Sequence, residues 1–175
     1  MPIINFDYHP QFFTATILEW KHLLKDDVFK DIIIKSLQFL KKEKSIVVYA
    51  FVIMPNHIHL IWQIQDGFKR ENIQMRFLKF TAQQMKFRLA DTADIRLNNF
   101  LVNDKDRQYQ FWERNSLSID LWTSAVFDQK LDYIHNNPLQ DKWKLADLSE
   151  NYKYSSANFY ATGYDEFELL THLND

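Results

Sequence analysis

Apolar and polar positions in the first part of the chain follow a strand pattern and then a helix pattern. Residues 12–18 are rich in aromatic and β-branched side chains, which is typical of a strand. Asp26 or Asp27 can then cap a helix whose apolar positions recur every three or four residues. Lysines suit the negative end of a helix, and their position predicts that this helix ends near Lys44.

The next two apolar runs predict a β-hairpin. Residues 46–54 are apolar on both faces, which is typical of a strand in the centre of a sheet. Pro55 and Asn56 favour a tight turn. Residues 57–64 then form the returning strand.

A second long helix is predicted over 69–90, because apolar residues again recur at three- and four-residue spacing. Its predicted core positions are Met75, Leu78, Ala82, Met85 and Leu89. A polar and mostly basic stripe runs beside them, formed by Arg76, Lys79, Gln83 and Lys86. One face of this helix should therefore pack on the sheet while its neighbour carries positive charge.

The remaining segments complete the sheet and add helices. Residues 109–114 and 117–122 alternate well enough to form one or two short strands. A third helix should run over 123–137 and end before Pro138, because the residue before a proline disfavours helical backbone angles. A last short helix is predicted near 167–172.

The order strand, helix, strand, strand, helix, strand predicts a split βαβ fold of the α+β class, ferredoxin-like or RRM-like. Its antiparallel sheet would carry two helices on one face and leave the other face free for a ligand. A C-terminal helix would carry a tyrosine. With 175 residues the chain suits a single domain over 1–175, with a core over about 11–138 and an extension over 139–175.

Composition narrows the class of protein. The apolar fraction of 46% and the charged fraction of 25% fit a globular domain. The absence of cysteine excludes disulfides, thiolate metal sites and cysteine nucleophiles, and it fits a reducing compartment. Residues 1–7 lack the pattern of a signal peptide, and no apolar run reaches the roughly 18 residues of a membrane span. We therefore expect a cytoplasmic protein without a membrane partner.

Charge and aromatic content bear on nucleic-acid binding. The formal net charge of −2 argues weakly against such a partner, but the charge is segregated, with six basic residues and one acidic residue over 69–88. Aromatic residues make up 16% of the chain. Most should fill the core, although aromatic rings also stack on unpaired bases. The candidates for stacking are Trp112, Trp143, Tyr152 and Tyr154.

Two histidines, His57 and His59, stand one residue apart in a predicted strand. Side chains in a strand alternate between its faces, so both histidines and Gln63 should face the same side. This arrangement can bind a metal. A pair of histidines on a strand can also be purely structural.

The third predicted helix adds Tyr133 and Asn137, which are four residues apart and share a face, with Lys130 one turn before them. A tyrosine at such a position can simply pack at the rim of the core. Together with His57 and His59, however, the amide oxygen of Asn137 would give three protein ligands. Such a set leaves positions open for a substrate, which is typical of a catalytic metal site.

A tyrosine beside such a metal indicates nucleophilic attack on a phosphodiester. The phenolate of Tyr133 could form a covalent ester that preserves the bond energy for rejoining. The metal would polarise a phosphate oxygen and neutralise charge that develops during the reaction.

Four motifs in this order resemble the single-tyrosine HUH transposases, in particular the REP-associated tyrosine transposase branch. They lie at 54–62 (Met-Pro-Asn-His-Ile-His-Leu-Ile-Trp), 111–113 (Phe-Trp-Glu), 132–138 (Asp-Tyr-Ile-His-Asn-Asn-Pro) and 154–156 (Tyr-Ser-Ser). The resemblance covers roughly residues 12–160 and implies cleavage of single-stranded DNA near hairpins, with a 5′-phosphotyrosine link and a free 3′-hydroxyl. The roles that it implies are the metal-binding pair His57 and His59, the third ligand Asn137, the nucleophile Tyr133, and Mg²⁺ or Mn²⁺ as the metal.

The preferred hypothesis is therefore a DNA transposase acting on single-stranded or hairpin DNA, as a monomer or a homodimer. Lys130 would help to hold the strand, and a basic helix face would follow the DNA backbone through Arg76, Lys79 and Lys86. Two alternatives stay open. One is a binding module for single-stranded nucleic acid without catalysis, because the same sheet binds RNA or DNA in unrelated proteins. The other is a metal-dependent nuclease that uses an activated water.

Overall fold

Four strands form one antiparallel sheet in the computed structural model, which describes residues 9–175. The strands are β1 (Gln11–Thr16), β2 (Ile46–Ile53), β3 (His57–Ile64) and β4 (Leu117–Asp120). The α-helices are α1 (Asp27–Lys42), α2 (Arg70–Asp91), α3 (Ser124–Asn136) and α4 (Ala157–Thr162). Short 3₁₀ helices span Leu18–Trp20, Leu23–Lys25, Ile95–Phe100, Asn137–Leu139 and Ser149–Asn151.

The strand order across the sheet is β2-β3-β1-β4, with every neighbouring pair antiparallel. This is the order that a split βαβ unit produces, because β1 and β3 become the inner strands. The predicted α+β fold is confirmed. The register places Thr14 opposite His59 and Thr16 opposite His57.

One face of the sheet packs against α1 and α2. Alternate strand residues such as Phe13 and Trp62 meet Ile33 of α1 and Phe77 of α2, and all four side chains are buried. The predicted first, second and third helices are all present, each with its ends within two residues of the prediction. Helices α1 and α2 and the sheet enclose the larger of two apolar cores.

The pattern of elements predicts that the opposite face of the sheet is free for a ligand, and this prediction is wrong. That face packs against α3, whose Phe127 and Ile134 meet Phe12 and Ile61 in the second core. The apolar positions of α3 show that one side of this helix is buried, but they do not show which face of the sheet it covers.

The prediction that residues 46–54 form a central strand is also wrong, because β2 lies at one end of the four-stranded order. The C-terminal segment covers its edge. Ser155 bridges Val52, Leu170 bridges Val48, and the backbone N–H of Ser156 donates to the Phe51 carbonyl at 2.9 Å. The strand is therefore buried on both faces and along its edge, which explains its continuous apolar sequence.

Several smaller predictions change in the structure. The core stripe of α2 consists of Ile73, Phe77, Thr81, Met85 and Leu89, four residues apart, whereas Met75 is 60% exposed. The segment 109–114 forms only isolated bridges, and the last helix lies at α4 rather than at 167–172. Asp26 does precede α1, but its carboxylate accepts from Arg96 at 2.8 Å instead of capping the helix.

Residues 1–8, which include the segment without a signal-peptide pattern, lie outside the described residues. Over residues 9–175, none of the helices combines the length and the apolar character that crossing a membrane requires.

Candidate functional site

His57 and His59 lie on the same face of β3, with ring centroids 4.7 Å apart. Both side chains are buried, at 8% and 5% exposure. The two-residue period of the strand accounts for their shared orientation, and the face that they share is the one on which α3 packs.

Each histidine has its Nδ1 atom occupied by a neighbouring polar side chain. The Nδ1 of His57 donates to the Oδ1 of Asn56 at 2.6 Å, and the Nδ1 of His59 lies 2.8 Å from the Oγ1 of Thr14. Such partners fix the orientation of an imidazole and leave its Nε2 available, as in metal sites where the second nitrogen of a ligand is held. Within the described part of the chain, the Nε2 of His59 is buried and has no hydrogen-bond partner.

Both imidazoles are neutral at physiological pH. Burial, with a smaller contribution from Lys142, lowers the pKa of His57 to about 4. Burial, followed by His57 and Lys130, lowers the pKa of His59 to about 3. A neutral imidazole keeps the lone pair that a metal ion requires.

Tyr133 of α3 lies directly beside this pair. Its ring centroid is 5.2 Å from that of His59 and 6.0 Å from that of Phe12, and its side chain is 44% exposed. The Nζ of Lys130 lies 4.8 Å from the Phe12 centroid and 5.8 Å from the Tyr133 centroid. The structure thus joins an accessible phenol, a cation and two neutral imidazoles at one place.

Asn137 directly follows α3 and lies one turn after Tyr133. Asn137 keeps helical backbone angles although it precedes Pro138, and it begins the 3₁₀ turn Asn137–Leu139. Its side chain is 2% exposed, and among residues 9–175 its Oδ1 is one of the buried atoms without a hydrogen-bond partner. A buried amide oxygen left unpaired is costly unless something meets it.

The donor types proposed for the site, two imidazole nitrogens and an amide oxygen, are ones that a divalent metal accepts. Within the described residues, no three His, Asp or Glu side chains gather into a group that could hold a metal. A third protein ligand would therefore have to be of another type, and the Oδ1 of Asn137 is an oxygen donor of the kind that Mg²⁺ and Mn²⁺ accept. Two of the three proposed donor atoms, His59 Nε2 and Asn137 Oδ1, are buried without a partner.

The segment after α3 extends the site beyond His57. The ring of Trp143 lies 6.0 Å from that of His57 and 5.6 Å from that of His22. A row of rings therefore runs from Tyr133 through His59, His57 and Trp143 to His22. The sequence analysis did not connect Trp143 or His22 with the histidines of β3, because these residues come from separate segments.

The three other predicted DNA-contacting cations lie elsewhere. Arg76, Lys79 and Lys86 belong to α2, and the sheet separates α2 from the histidines. Arg76 donates to both carboxylate oxygens of Glu43 at 2.9 and 3.0 Å, and the Nζ of Lys86 lies 5.1 Å from the ring centroid of Tyr109. The structure brings Lys130 to the site and leaves these three on the far helical layer.

Of the four residues predicted to stack on bases, most lie away from the histidines. Trp112 and Tyr154 are buried in the core, where the Trp112 Nε1 donates to Thr81 at 3.0 Å. The hydroxyl of Tyr152 donates to the Ile53 carbonyl at 2.6 Å. Only Trp143 lies beside the histidines.

Other support residues differ from those that the sequence predicts. Gln63 accepts a hydrogen bond from the Tyr49 hydroxyl at 2.9 Å, whereas Asn56 and Thr14 hold the imidazoles. Asn56 adjoins His57 in sequence, so its role as a partner of the imidazole could have been predicted from the sequence. Thr14 becomes visible only once the register of β1 on β3 is known.

Two solved structures share this fold. A REP-associated tyrosine transposase bound to a REP hairpin is similar over 95% of this chain and 88% of its own, with a TM-score of 0.62 and 15% identity. A provisionally assigned transposase from Deinococcus radiodurans R1 is similar over 74% of this chain and 90% of its own, with a TM-score of 0.50 and 12% identity. The likeness that the motifs predict is confirmed at the level of the fold. No protein-family model and no curated protein matches the sequence.

Proposed function

We propose that this chain is a transposase that cuts and rejoins single-stranded DNA near hairpins through a 5′-phosphotyrosine intermediate. The observation that carries the proposal is the position of Tyr133, an accessible phenol whose ring lies 5.2 Å from that of His59. The fold shared with a transposase that binds a REP hairpin supports hairpin DNA as the substrate.

We assign the metal to the Nε2 atoms of His57 and His59 and the Oδ1 of Asn137. Mg²⁺ or Mn²⁺ bound there would polarise an oxygen of the scissile phosphate and offset its developing charge. The neutral state of both imidazoles and the unpaired Asn137 oxygen support this assignment.

The chain's own residues supply the nucleophile and its surroundings. The Tyr133 oxygen, after losing its proton to solvent, attacks the phosphorus and forms a phosphotyrosine bond while the bond from phosphorus to the 3′ oxygen breaks. The leaving 3′ oxygen takes up a proton and becomes a free hydroxyl. Attack by a 3′-hydroxyl on the phosphotyrosine reverses the step and rejoins a strand.

Lys130 is the cation placed to attract the strand, because its Nζ lies over both Phe12 and Tyr133. Arg76, Lys79 and Lys86 would meet DNA only where a hairpin bends around to the helical layer. We therefore propose that Lys130 contacts the strand beside the cleaved bond and that α2 contacts any duplex DNA farther away.

The first prediction tests the nucleophile. The protein is incubated with Mn²⁺ and a DNA hairpin that carries a single-stranded extension, and denaturing electrophoresis then separates free protein from covalent adducts. We expect an adduct with the wild type and none with Tyr133→Phe. Tyr164→Phe is the matched control, because Tyr164 is also exposed but belongs to the C-terminal segment.

Three outcomes would contradict this mechanism. Cleavage without an adduct would indicate a nuclease that activates water. Binding without cleavage, and without an effect of metal, would indicate a binding module. An adduct that persists in Tyr133→Phe would place the nucleophile at another residue.

A further inference from the structure

A strained turn lies next to the histidine site. Glu19 and Trp20 have φ angles of 53° and 58°, in the left-handed region, and neither is glycine. For residues with a Cβ atom this conformation costs on the order of 1–2 kcal/mol each. Backbone strain of this kind persists only where the surrounding structure enforces it, and it concentrates at functional sites.

Several hydrogen bonds hold the turn. The N–H of Glu19 donates to the Glu113 carboxylate at 2.6 Å, and the N–H of Trp20 donates to the Ile17 carbonyl at 2.9 Å. The side-chain amide of Asn56 donates to the Trp20 carbonyl at 3.3 Å. The same Asn56 amide accepts from the Nδ1 of His57, so the turn is tied directly to a proposed metal ligand.

This turn leaves the indole of Trp20 in solvent. Its side chain is 63% exposed, although an aromatic ring of this size gains much by burial. Two residues later, His22 begins the row of rings that leads through Trp143 to His57. Lys21 and His22 also line a cavity of about 380 Å³, together with Leu23, Arg96, Asn99 and Phe100.

The cations of this cavity are already paired. Lys21 contacts Glu19 at 2.9 Å, and Arg96 contacts both Asp26 and Asp94. Their attraction for a phosphate is therefore reduced, and exposed aromatic surface is the main binding chemistry that the segment offers. An unpaired base is the partner that such a surface fits, since every base has a face on which a ring can stack.

We propose that Trp20 is a stacking platform for an unpaired base of the strand that flanks the phosphodiester at Tyr133. This inference rests on the proposed function for the position of the strand. It adds a contact that fixes where along the strand the cleaved bond falls, because the backbone of Trp20 is joined to His57 through Asn56.

The second prediction tests this platform by binding in EDTA, where no strand is cut. The probe is a DNA hairpin with a single-stranded oligothymidine extension, followed by fluorescence anisotropy over a range of salt concentrations. Trp20→Ala should weaken binding roughly 5- to 100-fold. The slope of affinity against salt should not change, because a stacking contact releases no counterions. Trp20→Phe should keep part of the affinity.

Trp122→Ala is the matched control. Trp122 is 54% exposed, but it lies near the start of β1, at the opposite end from the residues that pair with the histidines. A second arm replaces single thymidines of the extension with abasic positions. One such position should weaken binding to the wild type and have no further effect on Trp20→Ala, which identifies the stacked base.

Unchanged binding by Trp20→Ala, or a loss equal to that of Trp122→Ala, would overturn the inference, as would a changed salt slope. Circular dichroism of each variant excludes unfolding as the cause. The adduct experiment with Tyr133→Phe is separate, so that a stacking base without an adduct would reject the proposed chemistry alone.

Discussion

His57 owes its fixed orientation to a single neighbouring side chain. The amide oxygen of Asn56 can only accept, so the Nδ1 of His57 must carry the proton and its Nε2 must hold the lone pair. Asn56 in turn donates to the Trp20 carbonyl. The proton on the histidine is thus determined by a residue that touches no substrate.

The third prediction concerns Asn56 as a positioning residue. Asn56→Ala should lower the affinity for Mn²⁺ by about 10- to 100-fold, because the imidazole loses the partner that fixes its tautomer. Asn56→Asp, which keeps an acceptor, should retain more affinity than the alanine variant. Titration calorimetry measures the affinity, and Asn98→Ala, at an exposed position, is the control. Equal affinities for Asn56→Ala and the wild type would contradict the assignment.

Ser156 joins three structural elements. Its Oγ accepts from the Phe51 N–H of β2 at 3.0 Å and lies 2.8 Å from the Nε2 of His135 on α3. The serine itself directly precedes α4 and is fully buried. The covered edge of β2 and the docking of α3 therefore share one hydroxyl.

The fourth prediction removes that hydroxyl. Ser156→Ala should lower the free energy of unfolding by about 1–3 kcal/mol, because it leaves buried polar partners without a hydrogen bond. The change should appear as a lower midpoint in denaturant. Ser149→Ala, which removes only a bond to the adjacent Glu150, should have little effect. Equal midpoints for the two variants would show that the junction contributes no stability.

Helices and strands were predictable where the burial of one face produces a periodic pattern of apolar residues. The spacing in α2 gives the right bounds within one residue, although its core stripe starts from Ile73 rather than Met75. The position of β2 was not predictable, because an apolar strand looks the same whether another strand or a C-terminal segment covers its edge. The pattern of a single element carries no information about the partners that it meets far along the chain.

Two buried histidines, His57 and His59, and the partly buried His135 make the whole molecule sensitive to acid. Burial lowers the pKa of His57 and of His135 to about 4 and that of His59 to about 3. Asp132 partly opposes the effect at His135. In the unfolded chain each histidine returns to its ordinary pKa of about 6.5. Between these values the unfolded state binds more protons, so the free energy of unfolding falls as the pH falls.

The fifth prediction measures this dependence through His135, which is not a proposed metal ligand. Each such histidine should cost about 2 kcal/mol of stability between about pH 7.5 and pH 5. His135→Gln should therefore lose about 2 kcal/mol less than the wild type over that range. Denaturant unfolding in EDTA at both pH values measures the difference. An equally steep loss in both proteins would show that His135 is not held neutral.

At the scale of the molecule, the candidate site was only partly predictable from the sequence. The two-residue period fixes His57 and His59 on one face, and the helical period does the same for Tyr133 and Asn137. The distance between the two pairs depends on how α3 docks on β2 and β3. No local pattern encodes that docking, so the proximity of the two pairs stayed a hypothesis until the docking of α3 was known.

A single helix positions both Tyr133 and Asn137. They are separated by one turn, about 6 Å along the axis, and Phe127 and Ile134 seat the helix on the sheet. In the proposed function, the attacking group and a ligand therefore arrive together or leave together. A partly undocked molecule would lack both, so under the proposed function cleavage would require α3 to be docked on the sheet.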